Sequence, residues 1–378
     1  MKNIGVIGTG FIAKGLVNLI SEHKEYKLSA ILTRTNLSTR TEFPRVELLT
    51  NSLDDLIENS DLIIECSGDA IYATDSIAKI LKASLPVVTM NSEYHVTAGS
   101  YFIDKGFVTE AEGDQPGSLA VLNEDIVAMG FNPLVYGNIK GFLNHNPSEE
   151  DMKFWGNKSG ISLDMVTSFT DGTKVQIEQA FVANGLGSTI AKDGLVGLEE
   201  DDMQVGGAAL AEYAKELNAP ISDYLLSPKL PAGVFIVAEH DGVQKEHLKY
   251  YKMGDGPYYV MERTFHLCHL EIMKTVKRVF NGGGVLLDNS KHPTISVATI
   301  AKRDIKKGTA IKKGIGSFEV RGEAIRIKEN KKHLPIGLCS NVVLKRDIKA
   351  GEVLNLEDVE IEESLALHAW KSIIENNG

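Results

Sequence analysis

Cysteine is scarce: Cys66, Cys268 and Cys339 are the 3 in the chain, and no two of them form a CxxC pair. That spacing excludes a disulfide framework and a structural zinc site, and points to a reducing cytoplasm. No apolar run approaches the roughly 20 residues a membrane-spanning helix needs. Met1 leads straight into a strand pattern with no signal peptide, so a cytoplasmic protein without a membrane partner is expected. Positive charge is in deficit as well. With 40 Lys and Arg against 51 Asp and Glu, the formal net charge is −11, which argues against a nucleic acid partner. Basic residues dominate only between Lys302 and Lys332, where a solvated face accounts for them. What remains is an ordinary globular composition, 43% hydrophobic and 24% charged, and 378 residues suit two or three domains.

Residues 3 to 15 carry the strongest positive signal. A β-branched run from Ile4 to Ile7 meets Gly8, Thr9, Gly10, Phe11, Ile12 and Ala13, and an apolar helical pattern follows through Leu16 and Ile20. In a strand–turn–helix of this kind the first glycine permits the tight turn. The second lets bare backbone approach a pyrophosphate, and the small third residue lets helix and strand pack closely. The helix N-terminus then faces the phosphates with its partial positive charge. A dinucleotide site is expected here.

The second strand pattern, Lys27 to Leu32, ends in Thr33-Arg34-Thr35. A site selective for NAD carries an acid at this strand end to hold the ribose 2′-hydroxyl. None is present, and Arg34, with Arg40 nearby in sequence, suits a 2′-phosphate, so NADP(H) is favoured over NAD(H). Strand patterns at Asp61–Cys66, Leu85–Met90 and Phe107–Ala111 deliver three loops to one sheet edge: Ser67-Gly68-Asp69, with Cys66 just before it as a further cofactor contact, Asn91-Ser92-Glu93, and Glu112-Gly113-Asp114-Gln115-Pro116-Gly117. Ligands of open α/β sheets bind outside the carboxyl ends of strands, so these loops are expected to converge on the nicotinamide. Pro116 suits the first turn of a helix running to about Met129.

From Gly137 a strand leaves this region. Residues 138–295 then mix helical patterns (Val175–Ala183, Ala208–Leu217) with extended runs (Gly233–Ala238, Tyr258–Met261), as a substrate and oligomerisation domain would. The tail repeats itself: Ala301-Lys-Arg-Asp-Ile-Lys-Lys-Gly308 returns as Leu344-Lys-Arg-Asp-Ile-Lys-Ala-Gly351. Short strands punctuated by Lys-Gly turns suggest a compact β-rich module over 296–364, followed by a tail at 365–378. The expected fold class is therefore α/β: a dinucleotide-binding domain over 1–137, an α+β domain over 138–295 and the β-rich module.

Three segments together resemble one family. They are the opening fingerprint, the stretch from Gly254-Asp255-Gly256-Pro257 to His266-Leu267-Cys268-His269-Leu270-Glu271, and the repeated Lys-Arg-Asp-Ile tail. The tail is similar to SAF modules, which have a β-clip fold. The whole chain resembles homoserine-dehydrogenase-like NAD(P)-dependent oxidoreductases with a C-terminal SAF domain, in the deoxyxylulose-phosphate-reductoisomerase-like branch. The resemblance implies a Rossmann domain and reduction of a small carbonyl compound. For that branch it implies conversion of 1-deoxy-D-xylulose 5-phosphate to 2-C-methyl-D-erythritol 4-phosphate, a step of isoprenoid biosynthesis. One residue departs from the homoserine dehydrogenases: Ser92 and Glu93 follow Asn91 where those enzymes place a lysine, which weighs against homoserine as substrate.

Hydride transfer to a carbonyl needs a proton donor and a group that stabilises the developing alkoxide. In Thr170-Asp171-Gly172-Thr173-Lys174-Val175-Gln176-Ile177-Glu178, Thr170 or Asp171 is placed to cap a helix on which Lys174 and Glu178 share a face. Lys174, Asp171 and Glu178 are the leading catalytic candidates, against the plainer reading of a capped helix with surface ion pairs. Glu112 and Asp114, on a loop expected near the nicotinamide, join them. With Glu93 they form a carboxylate trio that either holds a divalent cation or caps the following helices, and no metal ligand set is assigned. Arg263, His266 and His269 are candidates for a substrate phosphate or carboxylate. His266 and His269 also fit one face of a partly buried helix, and without an HExxH sequence zinc is not expected. The Gly282-Gly283-Gly284 run lacks a Lys-Ser sequel and reads as a connection.

The leading expectation is a homo-oligomeric NADP(H)-dependent oxidoreductase acting on a small, phosphorylated, sugar-like carbonyl. A ketose or hydroxy-acid dehydrogenase of sugar catabolism or surface-glycan synthesis is the near alternative. A non-catalytic dinucleotide-sensing or carbohydrate-binding protein is the alternative of another class.

Overall fold

The computed structural model describes residues 1–376. Six short strands, β1 (Lys2–Ile7), β2 (Tyr26–Leu32), β3 (Leu49–Thr50), β4 (Leu62–Glu65), β5 (Val87–Thr89) and β6 (Val108–Glu110), form one sheet in the order 3-2-1-4-5-6. Every neighbouring pair is parallel. Helices cover both faces, which is why β4 is an unbroken buried run of Leu-Ile-Ile-Glu rather than an alternating one. Around the sheet lie α1 (Phe11–Ser21), α2 (Leu53–Glu58), α3 (Ala70–Lys82), α4 (Ser92–Ala98) and α5 (Gln115–Ala128). α1 buries Ala13, Leu16, Val17 and Ile20, a single stripe at helical spacing. The strand order reverses between β1 and β4, and the crevice this leaves opens at the N-terminus of α1.

β7 (Asn132–Lys140) begins the second layer; it starts at Asn132 rather than Gly137, so residues 137 and 138 are consecutive within one strand. The helices α6 (Glu149–Ser159), α7 (Leu163–Thr170) and α8 (Thr173–Gly185) follow. After them come β8 (Leu198–Glu199), α9 (Met203–Leu217), β9 (Ile221–Leu226), β10 (Val234–Glu239), α10 (Lys245–Tyr250), β11 (Tyr259–Arg263) and α11 (Cys268–Phe280). The strands make a mixed sheet in the order 11-10-7-9-8. α9 covers one face, packing Leu210 and Ala211 against Val135, Ile139 and Phe235. α5 and α8 cover the other, where Leu119, Ile126 and Val182 meet Tyr136, Val234 and Ile236. α11 returns to the first sheet, with Ile272 and Val276 in the same core as Val17 and Ile20.

The last part is built from two small antiparallel sheets. β12 (Ile295–Ala301) pairs with β14 (Val320–Arg326), while β13 (Ala310–Lys313), β15 (Ser340–Leu344) and β16 (Val359–Glu360) form the other. The sequence repeat is a reciprocal clasp. Ile305 and Ile348 exchange backbone hydrogen bonds of 2.8 and 2.9 Å. The Asp347 carboxylate accepts from Lys307 N at 2.9 Å, and the Asp304 carboxylate accepts from Ala350 N at 2.9 Å. Gly308 and Gly351 occupy the same left-handed conformation, φ +83° and +80°. Residues 365–376 of the expected tail form α12 (Leu365–Asn376), which buries Ala369 beside Ile77 and Tyr94 of the first domain. Residues 377–378 lie outside the described residues. Among the described residues no helix is long and apolar enough to cross a membrane.

Candidate active site

The turn between β1 and α1 is shaped by backbone alone. Gly8 has φ +117°, and a Cβ there would sit 2.8 Å from the carbonyl oxygen of Cys66. Gly10 is the N-cap of α1 and offers no side-chain cap, and a Cβ on it would meet nothing within 4 Å. The first turn carries no acid. Free amides at a helix N-terminus, with open space in front of them, fit a pyrophosphate.

This turn floors a cleft of about 460 Å³. At one end stand Thr33, Arg34, Thr35 and Arg40; Thr9 Oγ1 lies 3.1 Å from Thr33 Oγ1. Arg34 is paired with Asp69 at 2.7 Å and stacks on Tyr72, its guanidinium 4.3 Å from the ring centre. Arg40 donates to Thr35 Oγ1 at 3.0 and 3.1 Å. In the middle are Cys66, Ser67, Gly68, Met90 and Glu93, on the carboxyl ends of β4 and β5.

Those two strand ends are tied together by Glu65. Its carboxylate accepts from Ser67 N at 2.6 Å, Thr89 Oγ1 at 3.1 Å and Asn91 Nδ2 at 3.0 Å, and burial pushes its pKa up. The same contacts change the expectation for Asn91 and Ser92. Asn91 spends its amide on Glu65 and on capping α4 through Tyr94 N, and Ser92 Oγ donates to Asp114 at 3.3 Å. Both are fully buried and hold the loop, and neither lines the cleft as Glu93 does.

At the far end α8 brings Lys174 and Glu178 into the cleft one turn apart. Lys174 Nζ reaches Glu93 Oε1 at 3.1 Å, a bond between the first turns of α8 and α4. Glu178 Oε2 accepts from Asn138 Nδ2 at 3.0 Å and from Lys140 Nζ at 3.2 Å. The Gln115 amide nitrogen, in its favourable orientation, donates to Glu178 Oε1 and Asp114 Oδ1, both at 3.0 Å, and its oxygen accepts from His266 Nε2 at 3.2 Å. Burial by itself would lower the pKa of Lys174, but the carboxylates of Glu93, Asp114 and Glu178 outweigh it and raise it well above the usual lysine value. Burial raises the pKa of Glu178 against the pull of Lys140. The arrangement presents an ammonium at the end of the cleft, ringed by carboxylates.

Four expected site residues are placed elsewhere. Asp171 lies one residue before the N-cap position, which Gly172 occupies, and still caps α8: its Oδ1 accepts from Thr173 N at 2.8 Å, while its Oδ2 forms a fully buried pair with Lys302 at 2.7 Å, away from the cleft. Glu112 turns away from the cleft to Arg263 at 2.9 Å and Lys274 at 2.8 Å. Arg263 is held between Glu112 and Glu271, with no face toward the cleft. His269 packs on α1, where a Cβ at Gly15 would meet its ring at 2.6 Å. α11 starts at Cys268, so His266 sits in the preceding loop, in the cleft, and not on a helix face shared with His269. Because Glu112 and Glu93 are each tied to a cation, the trio with Asp114 does not converge. Among the described residues no group of three or more His, Cys, Asp or Glu is arranged to hold a metal.

Sequence reading placed Gln115 on a converging loop without giving it a role, and missed Cys268 and Met90 as lining residues, as well as the wall formed by Ser162, Met165, Ser168 and Phe169 of α7 and its entry with Lys313 and Ile315. Gln115 had a signal in its neighbour Asp114. The wall had none, because only packing brings β13 to α7.

Comparison with family models matches residues 8–100 to the NAD-binding domain of homoserine dehydrogenase, and residues 113–272 to the catalytic domain of oxidoreductase DRL. The chain is an NAD(P)-dependent oxidoreductase. Both matches fall on the walls of the cleft, the first holding the Gly8–Ile12 turn and the second Lys174, Glu178 and His266. Among solved structures, the oxidoreductase is similar to scyllo-inositol dehydrogenase from Lactobacillus casei (12% identity, 76% of this chain and 92% of that chain, TM-score 0.42). It is also similar to UDP-N-acetylglucosamine 3-dehydrogenase from Acidithiobacillus ferrooxidans (10% identity, 76% and 92%, TM-score 0.40). A third is dihydrodipicolinate reductase from Paenisporosarcina sp. TG-14 (14% identity, 74% and 94%, TM-score 0.37). The search of curated proteins returned no match.

Proposed function

We propose that the enzyme uses NADP(H) to reduce a small, phosphorylated, sugar-like carbonyl compound, with reductoisomerase activity on 1-deoxy-D-xylulose 5-phosphate as the sharpest candidate. The observation that carries this is the Lys174 ammonium, held by Glu93 at 3.1 Å at the end of a cleft that begins at the Gly8–Gly10 turn. The coenzyme, held at the Gly8–Ile12 turn, would supply the hydride for the substrate carbon. Lys174 Nζ donates a hydrogen bond, and then a proton, to the carbonyl oxygen as charge develops there. Glu93 orients that ammonium. Glu178, linked through Gln115 to Asp114 and His266, adds its negative charge beside the ammonium and keeps Lys174 protonated for that step. The choice of NADP(H) is supported by Arg34, Arg40, Thr33 and Thr35 at the adenosine end, with no acid at the end of β2. The reciprocal clasp of the C-terminal repeat supports an SAF-like β-clip.

The test is NADPH oxidation by the purified protein across a panel of phosphorylated ketoses and aldoses. Lys174→Met is expected to lower kcat by about 10²–10⁴-fold, the usual span for a lost general acid, with NADPH affinity unchanged. NADPH binding without turnover on the whole panel would favour the sensing alternative, and full activity in Lys174→Met would remove the lysine from the mechanism.

A further inference from the structure

Among the described residues, four cations line the cleft: Arg34, Arg40, Lys174 and Lys313. Arg34 and Arg40 belong to the adenosine end, and Lys174 is engaged by Glu93. The side chain that sequence best suited to a substrate phosphate, Arg263, is locked between Glu112 and Glu271. Lys313 is the cation left for a substrate anion. It ends β13, on the C-terminal module, and its Nζ lies 3.0 Å from Asp164 Oδ2 on the first turn of α7, both side chains being 50% exposed. The hydroxyls of Ser162 and Ser168 stand on the same wall.

The position of Lys313 is set by backbone packing. Gly316, at φ +80°, lies so close to α7 that a Cβ would come within 2.3 Å of Asp164 O. Behind the wall the module is fastened to the helix that carries Lys174. Gly322 N donates to Thr173 Oγ1 at 2.9 Å, Ala324 N donates to Gln176 Oε1 at 2.8 Å, and Lys302 pairs with Asp171 at 2.7 Å. The module is therefore one wall of the active site, at a fixed separation from Lys174.

We propose that Lys313 anchors the phosphate group of the substrate, with Asp164 as the partner it gives up when that group arrives. The proposal rests on the reading that the substrate is phosphorylated. A half-exposed lysine–aspartate pair contributes little, so a phosphate dianion, with twice the charge of the carboxylate, displaces it. The same chemistry would serve the pyrophosphate of the coenzyme. Its amide cradle at Gly8–Ile12 and the arginines at the 2′ end already account for the coenzyme's phosphates, which favours the substrate.

The full-length protein is saturated with NADPH, and inorganic phosphate is titrated in by calorimetry. Lys313→Ala is expected to weaken phosphate binding by about ten-fold or more, the scale of one lost charge-assisted contact. Asp164→Asn is expected to tighten it, and both variants should bind NADPH as the parent does. Unchanged phosphate affinity in Lys313→Ala overturns the anchor while leaving the proposed function in place. A loss that falls on NADPH affinity instead assigns the lysine to the coenzyme and also overturns it. If the parent protein with NADPH takes up no phosphate at all, the phosphorylated-substrate reading fails along with the anchor.

Discussion

Gly8 and Gly10 stand two residues apart and do different work. A methyl group at Gly8 would press on the Cys66 carbonyl at 2.8 Å in a backbone conformation with φ +117°. Gly8→Ala is therefore expected to cost about 1–3 kcal/mol of stability through strain. A methyl group at Gly10 points into open cleft, so Gly10→Ala should leave the unliganded Tm in place and weaken NADPH binding. Thermal denaturation and a fluorescence titration with NADPH separate the two; equal losses of Tm in both variants would contradict the geometry. These glycines were legible in the sequence because their task is local. Arg263, His269 and Glu112 were not: their partners, Glu271 and Glu112 for the arginine and α1 for the histidine, are chosen by the folded chain.

α8 is the element on which the site turns. Lys174 and Glu178 face the cleft, while Thr173 and Gln176 accept backbone N–H donors from β14 of the C-terminal module. Nearly every residue from Thr173 to Asn184 is buried, so the helix has no polar stripe for periodicity to detect. Its span was readable within a few residues, but its two-sidedness was not. The Asp171–Lys302 pair holds the start of this helix to the module without water access, and burial lowers the pKa of Lys302 despite the aspartate beside it. Removing one partner strands the other charge. Lys302→Met is expected to destabilise the protein by about 3–5 kcal/mol, and the double variant Asp171→Asn, Lys302→Met to recover much of that loss. Urea denaturation of the two variants measures it, and a double variant no better than the single one would argue against stranded charge as the cause.

At the scale of the molecule, contiguous stretches of sequence do not map onto separate bodies. α11 completes the core around α1, and α12, from the far end of the chain, buries Ala369 against α3 and α4. The C-terminal module shares one hydrophobic cluster with α8, including Phe181, Val297, Leu338 and Trp370. We expect thermal unfolding in a single calorimetric transition, raised by NADPH as mass action requires, by about 2.7 kcal/mol at a hundred times Kd. A separate transition for the 296–364 module would show that the shared cluster does not couple it.

By itself the amino-acid sequence determined the α/β class, the dinucleotide turn and its lack of an acid at the β2 end, the helix bearing Lys174 and Glu178, and the presence of a repeat in the tail. Each is written in residues close together in the chain, where backbone preference and side-chain period act directly. Only the tertiary structure decided which charges are spent on one another, that His266 enters the cleft while His269 leaves it, and that the tail supplies a wall with Lys313. Those outcomes depend on contacts of a few ångströms between residues far apart in sequence, and no local pattern encodes which of the many carboxylates a given lysine or arginine will meet.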